Sequence, residues 1–323
     1  MQRDSTICEL TFPTAVLAVK LNRKRLVVVL EEQIHIYNIS NMKLLLSMDT
    51  SPNPSGELSQ ANLILGVCSL SSLSEECYFV YPSSIRRSPA APHVPPNVSA
   101  VAFSGDVVIY DTIKLKSINV VEAHKSPLSA LSLNSQGTML ATASEQGTVI
   151  RVFSVPEGAR LFQFRRGTYP TQIYSIAFNL ASTFLCVSSA TETIHLFKLS
   201  YERPSPAQRI QSSASAASEN SIDAKRSTNS MAGMLRKSSN SLVGAVGGYL
   251  PTSFTEMWEP LRDFAFAKLP ANGSRSTVAF NGSSSQIIAV TTEGFFFQFD
   301  VDLELGGECA VTKQHSLMDA PEE

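Results

Sequence analysis

The sequence predicts an all-β chain built as a β-propeller of repeated four-stranded blades, and three observations carry that expectation. Five segments, residues 33–37, 106–110, 149–153, 193–197 and 295–299, share one pattern: an alternating apolar stretch closes on an aromatic residue. Alternation with period two buries one face of a strand. The closing aromatics recur at blade length. Tyr110 to Phe153 is 43 residues and Phe153 to Phe197 is 44, against roughly 40–45 for a propeller blade. Turn residues of the kind that join strands separate the segments: Ser135-Gln136-Gly137, Glu145-Gln146-Gly147 and Asn281-Gly282.

The remaining two gaps, 73 and 102 residues, are longer, and each holds an insertion. The first is the proline-rich region 82–96 and the second the serine-rich stretch 203–241. Setting them aside, the period holds and yields five blades over about 12–50, 61–120, 124–167, 171–270 and 276–318. The expected organisation is one propeller domain over 1–323 with an insertion at about 201–260.

Composition narrows function. The chain has 323 residues, 43% of them hydrophobic and 17% charged, which supports a sizeable core rather than wholesale disorder. A net charge of −2 argues against nucleic acid as partner and makes any anion recognition local. The five cysteines, Cys8, Cys68, Cys77, Cys186 and Cys309, are scattered, which suits buried reduced thiols rather than a metal or redox motif. Met1-Gln2-Arg3-Asp4 lacks the apolar core of a signal peptide, and the apolar run at 26–30 is too short to span a bilayer. Membrane contact is therefore expected to be peripheral. The chain shows no nucleophile elbow, phosphate-binding loop or His/Glu metal motif, so it is expected not to be an enzyme. Neither a cofactor nor a small-molecule substrate is expected.

Phe164-Arg165-Arg166-Gly167, between the third and fourth blades, makes the chain recognisable. With Ala123-His124-Lys125-Ser126-Pro127-Leu128, the stretch 141–151, Thr191 through Lys198 and 306–315, it resembles the PROPPIN family, the WIPI-type propellers that bind polyphosphoinositides. The resemblance covers nearly the whole chain outside the serine-rich insertion. It implies a family fold of seven blades, of which about five are present here and about two at the N-terminus are absent, leaving ring closure open. It further implies an effector that reads phosphatidylinositol 3-phosphate and the 3,5-bisphosphate and helps build autophagosomes. Such a protein is cytoplasmic, and peripheral on phagophore, pre-autophagosomal and endosomal membranes. The competing reading is a propeller scaffold for protein partners without lipid binding.

Arg165 and Arg166 are adjacent on an extended segment, so alternation sends their guanidinium groups to opposite sides. Two separate anion sites follow. His124, Ser144, Thr148 and Arg151 lie on the upstream side; Ser188, Ser189, Thr193 and His195 lie downstream. Ser144 to Ser189 and Thr148 to Thr193 are each 45 residues, so consecutive blades offer equivalent hydroxyls. Hydroxyls donate to phosphate oxygens, and arginine presents paired planar donors that match phosphate geometry. Each site alone is expected to be weak, and two on one surface act together through effective concentration. With ordinary histidine pKa values near 6.5, binding is expected to tighten below neutral pH.

The stretch 201–241 is serine-rich and expected to be disordered. Leu242, Val243, Tyr249, Leu250, Phe254 and Trp258 follow it, with Arg236 and Lys237 just before, as an interfacial membrane anchor needs. Phosphorylation of the serines would repel an anionic membrane. In the first blade, Arg23, Lys24 and Arg25 form a basic turn. The resemblance makes that turn the expected docking point for a protein of the autophagy conjugation machinery.

Overall fold

The computed structural model describes residues 8–31, 33–49, 67–72, 75, 77–83, 105–200, 261–270, 274–282 and 285–318. Alternating apolar positions become antiparallel strands grouped into five sheets. Blade 1 holds β1 (Val16–Leu21), β2 (Arg25–Leu30), β3 (Gln33–Asn38) and β4 (Lys43–Asp49). Blade 2 holds β5 (Ser69–Leu70), β6 (Tyr78–Pro82), β7 (Gly105–Asp111) and β8 (Lys116–His124). Blade 3 holds β9 (Leu128–Leu133), β10 (Met139–Ser144), β11 (Val149–Ser154) and β12 (Arg160–Arg165). Blade 4 holds β13 (Ile173–Phe178), β14 (Phe184–Ser189), β15 (Thr193–Lys198) and β16 (Ala265–Lys268). Blade 5 holds β17 (Ser276–Phe280), β18 (Gln286–Thr291), β19 (Phe295–Asp300) and β21 (Ala310–Ser316). A short strand, β20 (Gly307–Glu308), pairs in parallel with β16 and adds a fifth strand to blade 4.

The repeated aromatics Tyr37, Tyr110, Phe153, Phe197 and Phe299 all fall on the third strand of their blade, and all are buried. One boundary differs from expectation. His124 closes the outer strand of blade 2 instead of opening blade 3, because β8 runs for 9 residues.

Blade faces pack against the next blade, and these seams form the core. Val27, Val29, Ile34 and Ile36 of blade 1 meet Phe79 and Tyr110 of blade 2. Val107 and Ile109 of blade 2 meet Leu140 and Phe153 of blade 3. Ile150, Val152, Phe162 and Phe164 of blade 3 meet Leu185, Val187 and Phe197 of blade 4. Ile194 and Leu196 of blade 4 meet Ile287, Phe297 and Phe299 of blade 5. Among the described residues no such cluster joins blade 5 to blade 1. Among the described residues the five blades are thus joined by four seams.

The chain divides into two compact units, Met1–Leu199 with Leu261–Glu323 and Ser200–Pro260. Everything described above belongs to the first. Leu242, Val243, Tyr249, Leu250, Phe254 and Trp258 lie outside the described residues, as do the serine-rich stretch and the proline-rich 84–104. Cys68, Cys77, Cys186 and Cys309 are buried free thiols, and burial pushes Cys68 and Cys309 up to about 11. Cys8 departs from expectation and is exposed.

Candidate functional site

The Arg165–Arg166 pair is held by the β10–β11 turn. Gly147 adopts φ +57° there, and a Cβ on it would collide with the Thr171 carbonyl, so only glycine lets the turn lie against the start of blade 4. The Thr148 carbonyl beside it accepts from the Arg166 amide at 2.9 Å and the Leu261 carbonyl from the Arg165 amide at 2.8 Å, which fixes the backbone of the pair.

Side-chain direction then follows from the strand. Phe162 and Phe164 of β12 pack toward blade 4, so Gln163 and Arg165 project from the opposite face. On that face Arg151, paired across the ladder with Gln163, donates from Nε to Gln163 Oε1 at 3.0 Å. Arg165 is exposed and its guanidinium has no partner among the described residues. Arg166 lies past the strand end and turns to the other side. Its Nε donates to the Gly147 carbonyl at 2.8 Å and its Nη2 to the Tyr169 carbonyl. Partial burial lowers its pKa from the usual value without discharging it at neutral pH.

The seam between blades 2 and 3 carries a polar cluster. Arg151 Nη1 donates to the Ala123 carbonyl at 2.6 Å and stands 3.3 Å from His124 Nδ1. A guanidinium only donates, so Nδ1 accepts and the proton sits on Nε2, which donates to Thr142 Oγ1 at 3.0 Å. Thr142 and Gln163, the cross-strand neighbours of Arg151, were not singled out from sequence; the hairpin register would have found both. Ser144 ends β10 at this seam and Thr148 lies just before β11, and neither hydroxyl has a partner among the described residues.

Burial, reinforced by the Arg151 charge, lowers His124 from 6.5 to about 4, against an opposing hydrogen bond with Thr142. His124 is therefore neutral at physiological pH. The expected tightening of lipid binding below neutrality cannot come from this residue, because desolvation beside a cation outweighs any gain from acid. The same shift makes a stability prediction. As pH falls, the unfolded chain takes up the proton first, so the contribution is whole above pH 6.5 and lost toward pH 4. Urea midpoints at pH 7 and 4.5 should show the parent losing on the order of 2 kcal/mol more than His124→Gln. Equal losses would show that His124 titrates normally.

The seam between blades 3 and 4 differs. His195 Nδ1 lies 2.8 Å from Asp263 Oδ2, and its ring stacks on Phe197. Asp263 sits 68 residues away, just past the insertion, where no local spacing points to it. Ser189 shares a hydrogen bond with Thr191 at 2.9 Å, and the Thr193 hydroxyl has no partner among the described residues. Ser188 faces the other way. It is buried and donates to the Ser276 carbonyl of blade 5 at 2.8 Å, apart from the arginine pair.

The basic turn of blade 1 is divided. Lys24 Nζ donates to the Glu75 carbonyl at 2.7 Å and Arg25 Nε to the Thr112 carbonyl at 2.8 Å, so both tie blade 1 to blade 2. Arg23 is exposed and has no partner among the described residues.

Guanidinium and hydroxyl donors of this kind are chemically suited to phosphate oxygens. The PROPPIN family model matches residues 1–318. The chain belongs to the PROPPIN family. Among curated PROPPIN relatives, autophagy-related protein 18 of Ajellomyces capsulatus is 46% identical over 98% of this chain and 88% of its own length. The protein of the same name from Aspergillus oryzae is 48% identical over 98% and 84%. Among solved PROPPIN structures, KlAtg21, in a complex with the coiled coil of AgAtg16, superposes with TM-score 0.64 at 25% identity, over 97% of this chain and 74% of that one. Hsv2 of Kluyveromyces marxianus, at 16% identity, TM-score 0.61 and coverage of 97% and 75%, shows the same fold. PROPPINs are propellers that bind polyphosphoinositides, and this class of function is the one expected from the sequence.

Proposed function

We propose that this PROPPIN is a non-enzymatic effector that reads phosphatidylinositol 3-phosphate and the 3,5-bisphosphate on autophagic and endosomal membranes. The observation that carries the reading is the divergence of Arg165 and Arg166. One guanidinium is exposed on the blade 2–3 side and free of partners among the described residues, and the other is anchored toward blade 4. Each charged hydrogen bond to phosphate contributes roughly 1.5–3 kcal/mol. Two headgroups held on one bilayer multiply that through effective concentration. Flotation with vesicles carrying phosphatidylinositol 3-phosphate, with and without the 3,5-bisphosphate, tests it. The chain should float with either and stay behind with phosphatidylinositol alone. Equal flotation with unphosphorylated lipid would leave only the scaffold reading.

The partner reading rests on Arg23. The KlAtg21 structure contains a coiled coil of AgAtg16, and an exposed cation without a partner among the described residues, on the basic turn whose Lys24 and Arg25 reach blade 2, suits an acidic helical segment of the conjugation machinery. Residues 242–258 remain the proposed membrane anchor on their composition.

A further inference from the structure

The seam between blades 4 and 5 repeats the geometry of the seam between blades 2 and 3 with its chemistry inverted. Phe297 pairs across the ladder with Gln314 just as Arg151 pairs with Gln163. Thr291 ends β18 where Ser144 ends β10, and the turn after each contains a positive-φ glycine, Gly294 and Gly147. Leu269 follows the outer strand of blade 4, as His124 closes that of blade 2. A cavity of 150 Å³ opens at this place, with Leu269, Pro270, Phe295 and Phe297 as apolar walls and Glu293 among its lining residues. Ser274 Oγ donates to one Glu293 oxygen at 2.6 Å, and no cation pairs with the carboxylate among the described residues.

Where its counterpart offers a guanidinium and an imidazole, this cavity offers two phenyl rings and a negative charge. An anion would be repelled. Aromatic faces with a nearby carboxylate attract a soft, poorly hydrated cation, above all a quaternary ammonium. A cavity of about 150 Å³ takes a guest near the size of benzene, which suits a trimethylammonium group. We propose that the blade 4–5 seam is a choline-headgroup site that engages phosphatidylcholine in the bilayer gripped by the two phosphate-binding seams. This rests on the phosphoinositide reading for its membrane context. The quasi-repeat supplies the rest: the cavity occupies, one blade on, the rim position of the anion sites, so a bilayer that meets them meets it too. Phosphoinositides are sparse and choline lipids abundant, so a weak third contact adds residence without adding headgroup specificity.

The test has a soluble and a membrane arm, both with the full chain. Saturation-transfer NMR with choline should show transfer to the methyl protons, lost in Glu293→Gln, a change that keeps the side chain's shape. Phe295→Ala, in a partly buried position, is the second variant and should weaken transfer as well. On vesicles with fixed phosphatidylinositol 3-phosphate, replacing phosphatidylcholine by phosphatidylethanolamine should weaken parent binding roughly threefold and leave Glu293→Gln unaffected. No methyl transfer from choline overturns the proposal. Transfer from soluble choline without the vesicle dependence restricts the site to a free ligand and overturns its lipid role. Failure of the phosphoinositide reading looks different: flotation is lost in both backgrounds while the choline methyl signal persists.

Discussion

Arg165→Thr/Arg166→Thr will abolish flotation with phosphatidylinositol 3-phosphate vesicles, and the two single variants will fail for distinguishable reasons. Arg165 is exposed, and its backbone amide donates to the Leu261 carbonyl while its guanidinium has no hydrogen bond among the described residues. Its replacement should leave thermal stability unchanged while weakening binding about tenfold to a hundredfold, the loss of one or two charged hydrogen bonds. Arg166 also secures the Gly147 and Tyr169 carbonyls, so its replacement costs stability as well, on the order of 1–3 kcal/mol. Circular dichroism melts beside flotation separate the two effects. In the double variant both sites are weakened at once, and the avidity that makes modest pockets sufficient disappears. A double variant that floats like the parent would sink the lipid-effector reading. An Arg165→Thr that melts as early as Arg166→Thr would show that the two arginines do not diverge as described.

The blade pattern was legible because each third strand repeats one local rule, alternation ending in an aromatic, and that rule survives insertions of any length. Tyr37 and Phe299 obey it though their blades lie at opposite ends of the chain. The arginine pair was legible for the same reason, since period two alone separates adjacent side chains. What local rules could not reach was depth. His124 looked like an acid-responsive ligand, yet its environment is set by Arg151 and Thr142 from another blade, and burial there removes its proton. Ser188 and Ser189 are neighbours in one strand and point to different seams, one bonded to Ser276 and the other to Thr191. Lys24 and Arg25 read as a surface charge run, but carbonyls of blade 2 claim them. Except for Thr191, two residues from Ser189, the deciding partner is distant in sequence. Ser188, bonded to Ser276 88 residues away, is the extreme example, and Asp263 joins His195 across the insertion.

Phe164→Ala should be the most destabilising single change near the site, by about 3–5 kcal/mol. The ring is 1% exposed and stacks on Phe162 at 5.8 Å and on Phe197 of blade 4 at 4.8 Å, so its removal opens a void within the blade 3–4 seam. Domains of this kind have roughly 5–15 kcal/mol in total, so the loss is a large share of it. Function suffers with it. Phe164 precedes Arg165 on β12 and is paired with Ile150, so slack in this strand moves the arginine off the face it shares with Gln163. Urea denaturation followed by flotation below the unfolding midpoint should show both a lower midpoint and weaker binding. Tyr169→Ala is the control, because that ring is 82% exposed and lends Arg166 only its backbone carbonyl. It should change neither. If Phe164→Ala proves as mild as Tyr169→Ala, the seam is not packed around this ring, and the position of the arginine pair must depend on the backbone carbonyls of Leu261, Thr148, Gly147 and Tyr169.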